Sequence, residues 1–251
     1  MPKNYIFKDS LLINHEWTRK NPEDNGYRAA TPNLIDEVED SVQRDPKYKK
    51  YGKELDLYLG AEKHHANKVR DIVIHKILLI DYTNSTNLKM YGKKGTSVFS
   101  LADKIVAHGA ELDQMIHDGH PEAVEMIAGF ETVNLFSFAT KYCCYHNTIC
   151  YGRDDYSIYD NIVAKTIPFY LNVRSTYISG CRNTRNYLEY KRIIDTLIAV
   201  HELQDIPNIR RKIDHFLWYQ DKQKDNEKSC RFAGGGFAAS VNSLARARQM
   251  I

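Results

Sequence analysis

Apolar residues recur along this chain mostly at intervals of three and four, the period of helices that bury one face. Asn33 is placed to cap LIDEVEDSVQR, and Pro46 breaks that run. The stretch YGKELDLYLGAEKHHANKVRDIVIHKILLIDY carries Leu55, Leu59, Val69, Val73, Ile77 and Ile80 at helical spacing, with Gly60 as the dividing point. Cap and turn formers then crowd from Asp81 to Asn87, and Gly92 to Gly95 makes a second break. SLADKIVAHGAELDQMIHDG predicts one helix closed by Gly119, and Pro121 stands at the first position of PEAVEMIAGF, which Gly129 ends. A short helix from about Phe138 to Tyr145 follows.

Asp160 precedes NIVAKTIPFYLNV as an acidic N-cap, with strain expected at Pro168. NYLEYKRIIDTLIAVHELQ and IRRKIDHFLWYQDKQK are amphipathic and are joined through a loop at Pro207. Gly234-Gly235-Gly236 reads as a flexible joint before a last helix in ASVNSLARARQM. Strand patterns are few, no repeat recurs at a fixed period, and neither GxGxxG nor GxxxxGK[ST] is present. The expectation is an all-α fold in one domain over 1–251: an irregular extension at 1–33, a helical core at 62–222 with a hairpin at 134–146, and a tail at 223–251.

Composition excludes several classes. The chain has 251 residues, 43% of them hydrophobic and 27% charged, with a mean hydropathy of −0.53. It can therefore bury a sizeable core, and its apolar runs fall far short of the roughly 20 residues of a bilayer crossing. The first residues, MPKNYIFKDSLLINHEW, lack a secretory signature, so a cytoplasmic protein is expected. A formal charge of +3 is too mild to announce a nucleic-acid partner by itself. Acidic residues gather at Asp36-Glu37-Val38-Glu39-Asp40. Basic ones gather at Lys47-Tyr48-Lys49-Lys50, Arg182 to Arg192, Arg210-Arg211-Lys212 and Arg246 to Arg248, either as solvated helix faces or as tracks for a phosphate backbone. Five cysteines without regular spacing argue against a disulfide framework. Cys143, Cys144, His146 and Cys150 are close in sequence, but adjacent cysteines on a helix diverge and no second knuckle follows, so neither a metal nor another cofactor is expected.

The stretch Asn134-Leu135-Phe136-Ser137-Phe138-Ala139-Thr140-Lys141-Tyr142-Cys143-Cys144-Tyr145-His146-Asn147, followed by Tyr156-Ser157-Ile158-Tyr159-Asp160, is the most specific feature. Here the chain resembles the helix-hairpin-helix DNA glycosylases, particularly the 8-oxoguanine type. In that family a lysine opens the helix after the hairpin, and an aspartate follows nineteen positions later at the start of the next helix, as Lys141 and Asp160 do. The resemblance runs over Asn134 to Lys165 and, by order of elements, over Glu62 to Lys222. Ser137 and Ala139 stand where the family's hairpin has two glycines.

The resemblance implies a two-lobed helical fold and excision of a modified base. Cleaving an N-glycosidic bond builds positive charge on the sugar, which a fixed carboxylate stabilises; that role falls to Asp160. Lys141, as a free amine, would attack C1′ and form a Schiff base that permits strand cleavage. Because an ordinary lysine is protonated at neutral pH, burial or cationic neighbours would have to lower its pKa. The implied partner is duplex DNA with a flipped base, bound by a monomer. Asn84 or Asn87 would fill the gap left by the base. Tyr145, one helical turn after Lys141, would stack on the base, with His146 and Asn147 nearby as hydrogen-bonding groups. Phe138, Tyr142, Asn161, Asp214 and Trp218 complete the expected DNA and substrate contacts. The family has a small residue where this chain has Tyr145, which favours a different base, such as a hypermodified cytosine of phage DNA in an antiviral role, over 8-oxoguanine repair. A DNA-binding module without catalysis and a helical regulatory protein stand as alternatives.

Overall fold

A computed structural model describes residues 17–46, 66–84, 86, 88 and 97–232. Among them the fold is all-α, and the one β-type contact is an isolated antiparallel bridge between Arg19 and Leu171. Around that bridge Lys20 N donates to Tyr170 O and Asn172 N to Thr18 O, while Tyr27 stacks on Phe169. These contacts fasten the irregular residues 17–31 to the helical body.

Helix α1 (Pro32–Arg44) is capped by Thr31, whose Oγ1 accepts from Leu34 N at 3.4 Å. The expected cap, Asn33, lies inside the first turn, because Pro32 needs no N–H partner at the first helical position and passes the cap to the residue before it. Leu34, Ile35 and Val38 form its buried stripe, and α1 lies against the long helix Ile209–Phe232. Helix α2 (Arg70–Asn84) packs on α3 (Val98–Ala107) and is apolar on most sides, burying Val73, Ile77 and Ile80. Val69, expected on the same stripe, precedes the helix and is exposed. Leu55, Leu59, Gly60, Gly92 to Gly95, Lys47 to Lys50, Arg246 to Arg248 and the expected last helix lie outside the described residues.

The helix expected over SLADKIVAHGAELDQMIHDG is two, α3 and α4 (Gly109–Asp118), broken at His108. Gly109 sits so close to Asn67 that a Cβ there would stand 2.1 Å from the Asn67 carbonyl oxygen. Gly119 closes α4 at φ +74, a conformation that favours glycine. Helix α5 (Glu122–Gly129) leads through residues 130–135 into α6 (Phe136–Tyr151). Sequence predicts the latter only over Phe138 to Tyr145. The true helix is buried on nearly every side, so no polar face marks where it begins or ends.

Helix α7 (Asn161–Thr166) starts at the expected Asp160 cap and gives way at Pro168 to a 3-10 turn, Ile167–Phe169. Helix α8 (Ser175–Thr184) has only Ile178 and Cys181 buried and leaves too weak a period to be expected. Helices α9 (Tyr187–Val200) and α10 (Ile209–Phe232) complete the described fold. Among the described residues no helix is long and apolar enough to cross a membrane.

Candidate active site

Lys141 lies in the second turn of α6, with its side chain only 5% exposed, rather than at the opening of the helix as the sequence suggests. Its surroundings follow from how the segment before α7 is held. Asn134 sets the start of α6: its Nδ2 donates to Arg182 O at 2.7 Å and its Oδ1 accepts from Phe136 N at 3.0 Å. Two residues of the first turns then grip the extended chain before α7. Thr140 Oγ1 accepts from Tyr159 N at 3.0 Å, and Ser137 Oγ donates to Tyr159 O at 3.0 Å. Asp160 follows directly, and its Oδ1 caps α7 by accepting from Ile162 N at 2.7 Å.

The other carboxylate oxygen, Oδ2, is 3.6 Å from Lys141 Nζ, and the same amine donates to Ser137 Oγ at 3.1 Å. Ser137, at a position where the resemblance has glycine, thus touches both the amine and the extended segment that carries the carboxylate. Asp160 is 29% exposed, so one face of the pair opens outward. Burial pushes the Lys141 ammonium below its ordinary pKa, the charges of Asp160 and Asp214 oppose that shift, and Arg211 adds to it.

Helix α10 supplies the wall opposite Asp160. Arg211 Nη1 is 3.2 Å from Asp214 Oδ2, its Nη2 donates to the Tyr145 hydroxyl at 3.0 Å, and its guanidinium lies over the Tyr145 ring, 4.8 Å from the centroid. Tyr145 in turn donates to Asn84 Oδ1 at 3.2 Å. The C-terminus of α2, the middle of α6 and the first turns of α10 are therefore joined beside Lys141. Burial raises the Asp214 pKa, and the Arg211 charge works against that rise.

Of the expected contact residues, Asp214 acts on Lys141 and Asp160, and Tyr145 and Asn84 are joined to it through Arg211. Asn161 is exposed at the first position of α7, and Trp218 sits further along α10, 38% exposed, with the Lys222 ammonium 5.7 Å from its ring centroid. Four assignments need correction, because their side chains are buried and committed to the fold. Phe138 packs in the core against Tyr142. Tyr142 donates to Asn67 Oδ1 at 2.6 Å. His146 stacks on Tyr142 and stands 3.4 Å from Asp113. Asn147 donates to Ile116 O at 2.8 Å and to Asp155 Oδ2 at 3.0 Å, tying α4 to the loop after α6. All four lie on turns of α6 whose side chains are buried, although Phe138 also lines a small cavity with Ser137, Asn134 and Arg182. Asn87 lies outside the described residues.

Sequence reasoning missed Arg211 and Thr140. Arg211 was legible only as a member of a basic cluster, although Arg211 and Asp214 at a spacing of three could have been recognised as an ion pair. Thr140 carries no signal of its own.

Residues 34–153 match a family model described as HI_0787_N, N-terminal domain. The matched range includes Lys141 and stops before Asp160 and α10. A protein of Haemophilus influenzae described as uncharacterized is 27% identical over 135 residues, covering 51% of this chain and 60% of its own length. The chain thus spans about 60% of the curated relative it matches. No solved structure matches.

Proposed function

We propose that the chain is a DNA glycosylase that takes a modified base out of a duplex and cleaves its N-glycosidic bond, leaving an abasic site. The observation that supports this reading is the buried Lys141 amine 3.6 Å from the partly open Asp160 carboxylate. Both belong to a helix–turn–helix followed by a capped helix, the order that the helix-hairpin-helix resemblance implies. As the bond between C1′ and the base breaks, its electron pair leaves with the base; water bonds to C1′ through its oxygen and gives up a proton that balances the one taken by the base, which leaves the abasic site. Asp160 stabilises the positive charge left on the sugar. If Lys141 has lost its proton, its nitrogen bonds to C1′; transfer of an amine proton and opening of the sugar ring then give a Schiff base, from which elimination breaks the strand. Duplex DNA as partner, a monomeric state and a cytoplasmic location belong to the same proposal.

Tyr145 carries the substrate preference. A ring covered by Arg211 leaves different room from the small side chain of the 8-oxoguanine type, and we place hypermodified cytosine of phage DNA ahead of 8-oxoguanine as substrate.

The test is strand scission of labelled duplexes carrying hydroxymethylcytosine, glucosylated cytosine or 8-oxoguanine, with and without hot alkali, comparing wild type with Asp160→Asn. Scission without alkali that the substitution abolishes identifies a glycosylase with coupled lyase activity that needs Asp160, and scission only after alkali identifies base removal alone. Activity confined to 8-oxoguanine would remove the defence reading. Tight, salt-sensitive duplex binding that survives Asp160→Asn without scission of any substrate would favour a binding module instead.

A further inference from the structure

Two cations and two carboxylates meet at the core of the site: Lys141, Arg211, Asp160 and Asp214. Left to themselves, both carboxylates would draw on the one buried amine and keep it charged. Asp214 is instead matched to Arg211 at 3.2 Å, and Arg211 is itself held by the Tyr145 hydroxyl and ring, which Asn84 anchors from α2. Among the described residues Lys141 then makes its close ion pair with Asp160, at 3.6 Å, while Asp214 acts on it from further away. A guanidinium suits this task, since it stays charged and its planar fork can bind a carboxylate, a hydroxyl and a ring face at once.

We infer that Arg211 is a positioning residue for the reacting amine: by holding Asp214, it weakens the pull of that carboxylate on Lys141 and leaves Asp160 as the amine's close partner. The inference rests on the reading of Lys141 as the nucleophile, and it adds a residue that neither the motif nor the matched N-terminal range contains. The ionisable groups around Lys141 are Asp160 ahead of α7, Asp214 and Arg211 on α10, and, acting on those carboxylates, His215 on α10 and Tyr190 on α9. Ser137 is its neutral neighbour on α6. Removing Arg211 deletes a nearby positive charge and releases Asp214 towards the amine, and both effects favour the protonated lysine. Removing the Asp214 charge acts in the opposite direction.

The experiment is reductive methylation of the full-length chain with labelled formaldehyde across pH, reading Lys141 by peptide mass spectrometry. It reports on the amine whether or not the protein acts on DNA. Arg211→Gln should move the Lys141 profile to higher pH, an upward move of about one unit making reaction at pH 7 about tenfold slower. Arg211→Lys, which keeps a cation, should hold the rate within about threefold of wild type, and Asp214→Asn should move the profile to lower pH. If Arg211→Gln fails to fold, the downward move in Asp214→Asn carries the test. A Lys141 profile that coincides with wild type in Arg211→Gln, or in Asp214→Asn where that is the surviving variant, overturns the inference. Borohydride trapping on a duplex with an abasic site runs in parallel. Absence of a Lys141 adduct there, with the methylation shifts intact, rejects the nucleophile reading and keeps the Arg211 effect.

Discussion

Thr140→Val tests how the site is held together. Thr140 is fully buried, and its hydroxyl makes two bonds: it donates to Ser137 O at 3.0 Å and accepts from Tyr159 N at 3.0 Å. Valine keeps the shape and loses both. The Ser137 carbonyl sits within α6, where it can also accept a backbone N–H, so the loss on that side is small. The Tyr159 N–H has no such recourse: it is buried, lies in extended chain, and would face a methyl group. A stranded buried donor costs about 1–3 kcal/mol. For a domain of this size each kcal/mol moves the melting temperature by about 2–4 °C, so a loss of about 2 kcal/mol lowers it by about 4–8 °C.

The assay is urea unfolding, with a lower midpoint and an unchanged slope against denaturant. Thr140→Ser is the control, retaining the hydroxyl and losing one buried methyl, about 1 kcal/mol. If Thr140→Val costs less than about 0.5 kcal/mol, the Tyr159 N–H is satisfied elsewhere and the claim that α6 clamps the Asp160 segment fails.

Three further outcomes are expected. Tyr142→Phe removes the hydroxyl bonded to Asn67 and should cost about 1–2 kcal/mol in chemical denaturation; its duplex affinity should match wild type, since the side chain is buried. Gly109→Ala drives a Cβ against the Asn67 carbonyl and should destabilise by about 3 kcal/mol or prevent folding, as read by thermal melting. The Glu39 carboxyl, on α1, is an acid-sensitive group. Burial alone would raise its pKa, but hydrogen bonds from His215 and Gln43 and the nearby charges bring it down from 4.5 to about 2. A carboxylate depressed in the folded state contributes stability that is complete above its unfolded pKa and is lost as pH falls. Melting temperature should therefore drop between pH 4.5 and about 2, and Glu39→Gln should flatten that drop. An equally steep drop in the variant would assign the acid response to other groups.

What the sequence disclosed depended on whether a residue's role was local. Asp160 as an N-cap, Gly119 as a helix stop and the helices α1, α9 and α10 were legible, because each is written in neighbours within a turn or two. Asn147 and His146 were misread for the converse reason. A polar side chain a turn or so from Lys141 looks like a ligand-binding group until the fold shows that Ile116, Asp155 and Asp113, from other parts of the chain, already surround it. The break between α3 and α4 was hidden likewise, since what forbids a side chain at Gly109 is the carbonyl of Asn67.

The same distinction explains the composition of the site. Lys141 and Asp160 are joined through contacts nineteen residues apart, and Thr140 to Tyr159 spans that interval one step earlier. A spacing of this kind can be read from a linear text, because the helix and the extended chain that returns along it fix it as a unit. Arg211 and Asp214 reach the pair from a helix that begins almost fifty residues after Asp160, and no local rule sets that distance. What places them is burial. Helix α10 packs along both α1 and α7, so its first turns come to lie beside the cap of α7, where any ionisable side chain must find a partner. An isolated carboxylate at Asp214 would compete for the amine or be forced neutral. Arg211, three residues earlier on the same face, removes that choice, and the aromatic ring and amide that hold Arg211 come from α6 and α2. The surroundings of Lys141 are thus set by four helices meeting at one point, and the stretch that contains the lysine holds only part of them.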